Sequence, residues 1–114
     1  MSDRKSHARL VVRVGDFAGT HYELARGETL IGRNAGTDIS LSDEGISREH
    51  ALILYDEDSD CFGVEDLQST NGTQVNGKRV RSVTLQHGDE LRIGRTCFVF
   101  LEEPDGSDRE AGGS

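Results

Sequence analysis

The chain has 114 residues, of which 33% are hydrophobic, with four Phe, two Tyr and no Trp, so we expect one domain with a modest, mainly aliphatic core. Its formal net charge of −8 repels DNA, RNA and anionic membranes, so we expect no nucleic-acid and no membrane partner. No stretch approaches the roughly 18 apolar residues of a membrane-spanning helix, and no apolar signal segment follows the N terminus, which predicts a cytoplasmic protein.

Short apolar or alternating stretches, separated by turn residues, predict an all-β protein. No window of ten or more residues keeps a helical period of 3.6. The predicted strands are residues 9–14, 21–24, 29–33, 38–41, 51–55, 61–66, 73–75, 78–80, 83–85, 90–93 and 96–101. We therefore expect a two-sheet β-sandwich of about eleven short, mostly antiparallel strands.

The ends of the chain lack a periodic pattern. We predict a flexible lead over residues 1–8, one folded domain over residues 9–103, and a flexible acidic tail or linker stub over residues 104–114.

Three stretches carry more specific expectations. Residues 51–55 are apolar throughout, as expected of a central strand covered on both faces. Residues 21–24 contain polar side chains and suggest a half-exposed edge strand. Asn76-Gly77 between two short strands predicts a type I′ hairpin turn, which needs positive φ at both residues.

The sequence favours neither a metal nor a cofactor, and we expect none. Cys61 and Cys97 are isolated, without a CxxC motif or a His at ligand spacing, so we expect buried, reduced thiols. The acidic turn at residues 56–60 lacks the interior Gly and the closing Glu of a calcium-binding loop.

Three short segments carry side chains suited to an anion. Residues 45–51 present a hydroxyl (Ser47), a fixed cation (Arg48) and an imidazole (His50) immediately before an apolar strand. The segments at residues 32–34 and 69–73, which read Gly-Arg-Asn and Ser-Thr-Asn-Gly-Thr, carry similar chemistry. Polar donors on loops at the end of a buried strand can form a rigid anion site.

In this order and at these spacings, Gly-Arg, Ser-x-x-His and Ser-Thr-Asn-Gly-Thr resemble the forkhead-associated (FHA) domain, over roughly residues 9–103. The resemblance implies a β-sandwich with its recognition loops at one end. It also implies a module of Ser/Thr-kinase signalling that binds phosphothreonine in extended segments of a partner protein. We expect a monomer that is not an enzyme.

The resemblance also implies roles for individual residues. Arg33 would be the main phosphate ligand, and its planar, permanently charged guanidinium suits two phosphate oxygens. Ser47 would donate a hydrogen bond to the phosphate, and Arg48 would add a further polar or basic contact. Thr70 would contact the phosphate and Asn71 the peptide backbone.

Three further motif residues would support the site without contacting the ligand. His50 would fix the loops, and Gly32 and Gly72 complete the motif. Because no core motif residue is missing, the sequence argues against a degenerate, non-binding member.

Other interpretations remain open for single residues. Arg33 could be a solvated residue at a strand end, and Arg48 could pair with Glu44 or Glu49. The segment at residues 69–72 could be an ordinary turn, since Asn-Gly favours positive φ for local reasons.

Two other functions are also open. The motif residues could simply hold loops in a phospho-independent assembly or dimerisation module, possibly the regulatory domain of a larger signalling protein. Alternatively, Ser47 and His50 could be a nucleophile and its base, although no nucleophile elbow, acidic third member or oxyanion loop is recognisable.

Overall fold

The structure is a computed structural model that describes residues 7–15 and 17–103. In this part of the chain there are eleven β-strands and no helix that could cross a membrane. The strands are β1 His7–Val14, β2 His21–Glu23, β3 Glu28–Gly32, β4 Ile39–Ser40, β5 Ala51–Asp56, β6 Cys61–Asp66, β7 Thr73–Val75, β8 Lys78–Val80, β9 Ser82–Leu85, β10 Glu90–Ile93 and β11 Thr96–Glu103.

The strands form two sheets, which confirms the predicted β-sandwich. One sheet has six strands in the order β2-β1-β11-β10-β7-β8, and the other has five in the order β4-β3-β5-β6-β9. Among the described strands, β3 and β4 run parallel and the other pairs are antiparallel. The expectation of mostly antiparallel pairing is therefore correct.

The core lies between the sheets and is built from alternate residues of each strand. Most buried side chains are aliphatic, as the composition predicts, but three of the four Phe lie at the centre of the core. The rings of Phe62 and Phe100, from different sheets, have centroids 5.8 Å apart. Phe98 and Phe100 are fully buried on alternate positions of β11.

Strand β5 is central in its sheet, but the expectation that it is covered on both faces is wrong. Ala51 and Ile53 face the core and are buried, whereas Leu52 and Leu54 on the other face are only half-buried. In a sandwich of two layers, only the inner face of each sheet meets the opposing sheet.

The predicted hairpin turn and the predicted edge strand are both confirmed. Asn76 and Gly77 have φ of 53° and 84°, and they join β7 to β8 as the predicted hairpin. Strand β2 lies at the edge of the six-stranded sheet.

Two other details differ from expectation. Strand β1 begins at His7, two residues before the predicted start, because His7 and Ala8 pair with Glu103 and Glu102. The free cysteines are half-buried, not buried. The remainder of the predicted N-terminal lead and the predicted tail at residues 104–114 lie outside the described residues.

Candidate functional site

The end of β3 is bonded through its backbone to the loop that precedes β5. The amide of Arg33 donates to the Ser47 carbonyl oxygen over 3.0 Å. The amide of Asn34 donates to the Arg48 carbonyl oxygen over 3.2 Å. Two residues before Arg33, the carbonyl oxygen of Ile31 accepts from the amide of His50 over 2.9 Å. Two of the three motif segments are thereby placed side by side.

Gly32 makes this close approach possible. A Cβ at Gly32 would lie 2.0 Å from the carbonyl oxygen of Arg48 and 3.0 Å from the Cα of Glu49. Both atoms belong to the backbone and cannot move aside without breaking the pairing with β3. Glycine is therefore required by the distance between the two segments and not by its own φ.

His50 joins the second motif segment to the third. Its imidazole is fully buried, Nδ1 accepts a hydrogen bond of 3.1 Å from the Ser47 amide, and Nε2 lies 2.8 Å from the Gly72 carbonyl oxygen. Because Nδ1 is an acceptor, the ring hydrogen is on Nε2, which donates to Gly72. A single neutral side chain thus cross-links loops that are 22 residues apart in sequence.

The hydroxyl groups of Ser47 and Thr70 lie on neighbouring loops. The Thr70 amide donates to Ser47 Oγ over 3.1 Å. This bond uses a lone pair of Ser47 Oγ, so the hydroxyl hydrogen remains available for donation. Thr70 is exposed, and no protein partner of its own hydroxyl is found within the described residues.

Arg33 is exposed, but its guanidinium is held at one point. Nε donates to the carbonyl oxygen of Ile46 over 3.0 Å. In the described part of the chain, neither terminal nitrogen of Arg33 has a protein acceptor. The backbone contact therefore orients the guanidinium fork while leaving its outer edge open for an anion.

Arg48 and Asn71 complete the set of predicted ligand contacts. Among the described residues Arg48 forms no ion pair, so the possible pairing with Glu44 or Glu49 is not seen there. Asn71 donates from Nδ2 to the Gly45 carbonyl oxygen over 2.9 Å. That bond fixes the side-chain amide of this exposed residue, and Oδ1 has no protein donor within the described residues.

Gly72 is needed for the shape of the third segment. It has a φ of +88°, and a Cβ there would lie 2.4 Å from Nε of Arg79, whose guanidinium packs against the loop. Its amide donates to the Ser69 hydroxyl over 2.9 Å while its carbonyl accepts from His50. The segment is thus a tight, specifically bonded turn.

The carboxylate of Asp66, which is not among the predicted site residues, is bonded to this turn. Asp66 accepts from the Ser69 amide at 3.1 Å, from the Ser69 hydroxyl at 2.5 Å and from the Thr73 hydroxyl at 2.8 Å. Partial burial raises the pKa of Asp66, but these hydrogen bonds more than offset it and hold the pKa below the usual value of 3.8. An acidic residue three positions before a Ser that precedes Asn-Gly could have indicated this arrangement.

A second residue that was missed is Asp43, which ties the loop before β5 to the β10–β11 turn. Its carboxylate accepts from the amides of Gly45 at 3.0 Å and Arg95 at 2.6 Å. The hydrogen bond from Gly45, followed by that from Arg95, holds the pKa of Asp43 below its usual value. Nothing local in the sequence indicates a partner 52 residues away.

The structure therefore brings the five predicted ligand-contacting residues to one loop cluster. Arg33 follows β3. Ser47 and Arg48 lie before β5, and Thr70 and Asn71 lie before β7. Arg33, Arg48 and Thr70 are exposed there and Ser47 is half-buried, and within the described residues none of their side chains bonds to a carboxylate. Such a set suits a compact, multiply charged oxygen anion.

The same residues do not form a hydrolytic pair. The contact between Ser47 and His50 uses the Ser47 backbone amide and not its hydroxyl, and the other ring nitrogen is bonded to Gly72. Residues 7–15 and 17–103 also contain no group of three or more His, Cys, Asp or Glu that could hold a metal ion.

Comparison with known proteins identifies the family. The family model described as FHA domain matches residues 29–94, which include all three motif segments. Glycogen accumulation regulator GarA of Mycobacterium tuberculosis is 41% identical over 97 residues, which are 85% of this chain and 59% of GarA. The oxoglutarate dehydrogenase inhibitor of Corynebacterium efficiens is 42% identical over 97 residues, 85% of this chain and 67% of that protein.

A solved structure gives the same result. The structure of Mycobacterium tuberculosis EmbR in complex with a low-affinity phosphopeptide superposes with a TM-score of 0.74 at 34% identity, over 83% of this chain and 24% of EmbR. The chain spans about three-fifths of the length of GarA. The family match, the sequence identity and the shared fold lead to one conclusion: this chain belongs to the FHA domain family.

Proposed function

We propose that this chain is a signalling module that binds phosphothreonine in extended segments of partner proteins. The observation that carries the proposal is the Ser47–Thr70 contact beside the oriented guanidinium of Arg33. These three residues come from three separate loops, and a phosphate is the ligand that could engage all of them. EmbR, which is similar in fold, has been solved with a phosphopeptide.

In the proposed complex, Arg33 presents its terminal nitrogens to two phosphate oxygens. The Ser47 hydroxyl donates to a third phosphate oxygen, and Arg48 and Thr70 add further contacts to the phosphate. Asn71, held by Gly45, offers its side-chain oxygen to an amide of the peptide backbone. Threonine, and not serine, would be preferred because its extra methyl group adds about 0.8 kcal/mol of apolar contact.

The strength of such a complex follows from these contacts. About four charge-assisted hydrogen bonds, each worth about 1.5–3 kcal/mol, are opposed by an association cost of at least about 4 kcal/mol. These bonds alone leave at most about 2–8 kcal/mol. The contact of Asn71 and the side-chain contacts add to this, which gives a dissociation constant around micromolar, or roughly −8 kcal/mol. That affinity suits a contact that a kinase and a phosphatase can make and reverse.

We further propose that the chain acts by binding and not by catalysis. Both ring nitrogens of His50 are occupied by backbone groups, so His50 is not free to take the hydroxyl proton of Ser47. The names of its relatives describe a regulator and an enzyme inhibitor, which favours a chain that controls another protein. Free cysteines and an acidic composition favour the cytoplasm as its location.

The test uses a degenerate library of threonine-phosphorylated peptides and the same library without phosphate. Residue-resolved NMR should show shifts at Arg33, Ser47 and Thr70 only with the phosphorylated library. Equal shifts with both libraries would instead favour a phospho-independent assembly module. Release of inorganic phosphate during the titration would favour a hydrolase.

A further inference from the structure

An apolar groove lies beside the loop cluster, between the end of β1 and the segment that follows β4. Its floor is formed by the buried side chains of Val12 and Leu41, and Tyr22 forms one wall. Its rim carries Val14 and Phe17, which are 57% and 63% exposed and are the two exposed large hydrophobic residues in the described part of the chain. Their position on one groove distinguishes them from scattered surface residues.

Phe17 is held in this exposed position by an ordered turn. The Thr20 amide donates to the Phe17 carbonyl oxygen over 3.1 Å. The Gly19 amide donates to the Val12 carbonyl oxygen over 2.7 Å. A return bond of 2.9 Å runs from the Val12 amide to the Thr20 carbonyl oxygen. These bonds tie the backbone of residues 17–20 to β1 beside the groove.

Val14 is exposed because the end of β1 departs from the regular ladder. The pairing of β1 with β11 shifts register between Val12 and Val14, and such an irregularity bends a strand. Val12 and Val14 lie two positions apart, yet the first is buried and the second reaches the groove rim.

The groove is continuous with the candidate phosphothreonine site. It shares Asp43 and Arg95 with a shallow polar groove that also includes Gly45 and Asn71. Hydrogen bonds link these residues in sequence, from Asn71 to Gly45, from Gly45 to Asp43 and from Arg95 to Asp43. A chain bound across Asn71 could therefore continue over Asp43 into the apolar groove.

We infer that the groove lined by Val14, Phe17 and Tyr22 binds an apolar side chain of the same partner whose phosphothreonine occupies the loop cluster. This inference rests on the proposed function. The continuity with the loop cluster favours that partner, and the net charge of −8 opposes a second copy of this chain as the occupant. The junction of the two grooves carries Asp43, Glu44 and Arg95, so its charge is mixed and this occupant is favoured by the continuity of the grooves.

The test uses a ladder of threonine-phosphorylated peptides with Gly/Ser flanks, in which one Phe is moved residue by residue along each flank. Wild-type protein should bind one position, or two adjacent positions, about tenfold more tightly than the Phe-free peptide, as expected for one buried aromatic side chain. Phe17→Ser should remove that increase while leaving the affinity for the Phe-free peptide unchanged. Phe17→Leu should keep most of it.

Leu54→Ser is the matched control, because Leu54 is half-buried on the outer face of β5, in the other sheet, and does not line the groove. It should retain the full increase.

No gain at any Phe position, or a gain that Phe17→Ser retains, would overturn the inference while leaving the proposed function intact. Failure of the wild type to bind even the Phe-free phosphopeptide would instead overturn the proposed function. Wild-type dimerisation that Phe17→Ser abolishes would assign the groove to a second copy and also overturn the inference.

Discussion

The buried imidazole of His50 donates from Nε2 to the Gly72 carbonyl oxygen over 2.8 Å, while its Nδ1 accepts from the amide of Ser47. The side chain reaches no solvent, so its contribution to ligand binding must act through the loops that it joins. This arrangement separates the residues that hold the site from those that face it.

His50→Ala should therefore lose both stability and phosphopeptide binding. It would leave the Ser47 amide and the Gly72 carbonyl without partners and create a cavity, for a total of about 3–5 kcal/mol. Urea unfolding and calorimetric titration check the two effects. The control is Ser47→Ala, which should mainly lose binding. A His50→Ala variant with normal unfolding and normal binding would contradict the role assigned to the imidazole.

Gly32→Ala should be strongly destabilising, by about 1–3 kcal/mol or more, because the added methyl group would lie 2.0 Å from the Arg48 carbonyl oxygen. The matched control is Gly27→Ala, since nothing lies within 4 Å of a Cβ at Gly27. Thermal unfolding of both variants measures the difference. Equal melting temperatures would show that β3 and the loop before β5 are not held as closely as described.

Lowering the pH should reduce the free energy of unfolding, in part through Asp66. Its pKa is held below 3.8 in the folded state, so its contribution is fully present above 3.8 and is lost as the pH falls through the folded pKa. Unfolding curves of the wild type and Asp66→Asn should therefore differ most at neutral pH and converge as the pH falls below the folded-state pKa of Asp66. Asp58→Asn, which changes an exposed carboxylate, should follow the wild type at every pH. A constant difference between the wild type and Asp66→Asn down to the lowest pH would argue against the described hydrogen bonds.

Asn71→Ala should reduce binding more than stability. The lost hydrogen bond to Gly45 is exposed and is worth about 0.5–1.5 kcal/mol, whereas the proposed contact with the peptide backbone would be lost entirely. Comparing melting temperature with peptide affinity separates the two. An Asn71→Ala variant that binds phosphopeptide normally would remove Asn71 from the proposed ligand set.

Much of the fold could be predicted from the sequence because alternation and turn residues are local signals. The hairpin at Asn76-Gly77 depends on its own two residues, and it was correctly predicted. The half-buried outer face of β5 was not, because an apolar run such as that of residues 51–55 does not indicate how many layers cover it.

Some features of the candidate site could likewise be predicted from the sequence, and others could not. The exposed positions of Arg33 and Thr70 agree with a motif that could be identified in the sequence. The bonds of Asp66 to Ser69 and Thr73 lie within seven residues, so an acidic residue at that spacing is a local signal. The bond from the Arg95 amide to Asp43 depends on where segments 52 residues apart meet, so no local pattern indicates it. The exposure of Phe17 likewise depends on the turn geometry and on how β1 ends.

The most direct test of the account is a calorimetric titration of a library-selected threonine-phosphorylated peptide into wild type, Arg33→Ala and Arg33→Lys, with thermal melting of each protein. Arg33→Ala removes two or more charge-assisted hydrogen bonds, so affinity should fall by at least about a hundredfold while the melting temperature changes little. Arg33→Lys should recover little, because an ammonium group lacks the bidentate fork. Wild-type affinity in correctly folded Arg33→Ala would contradict the account.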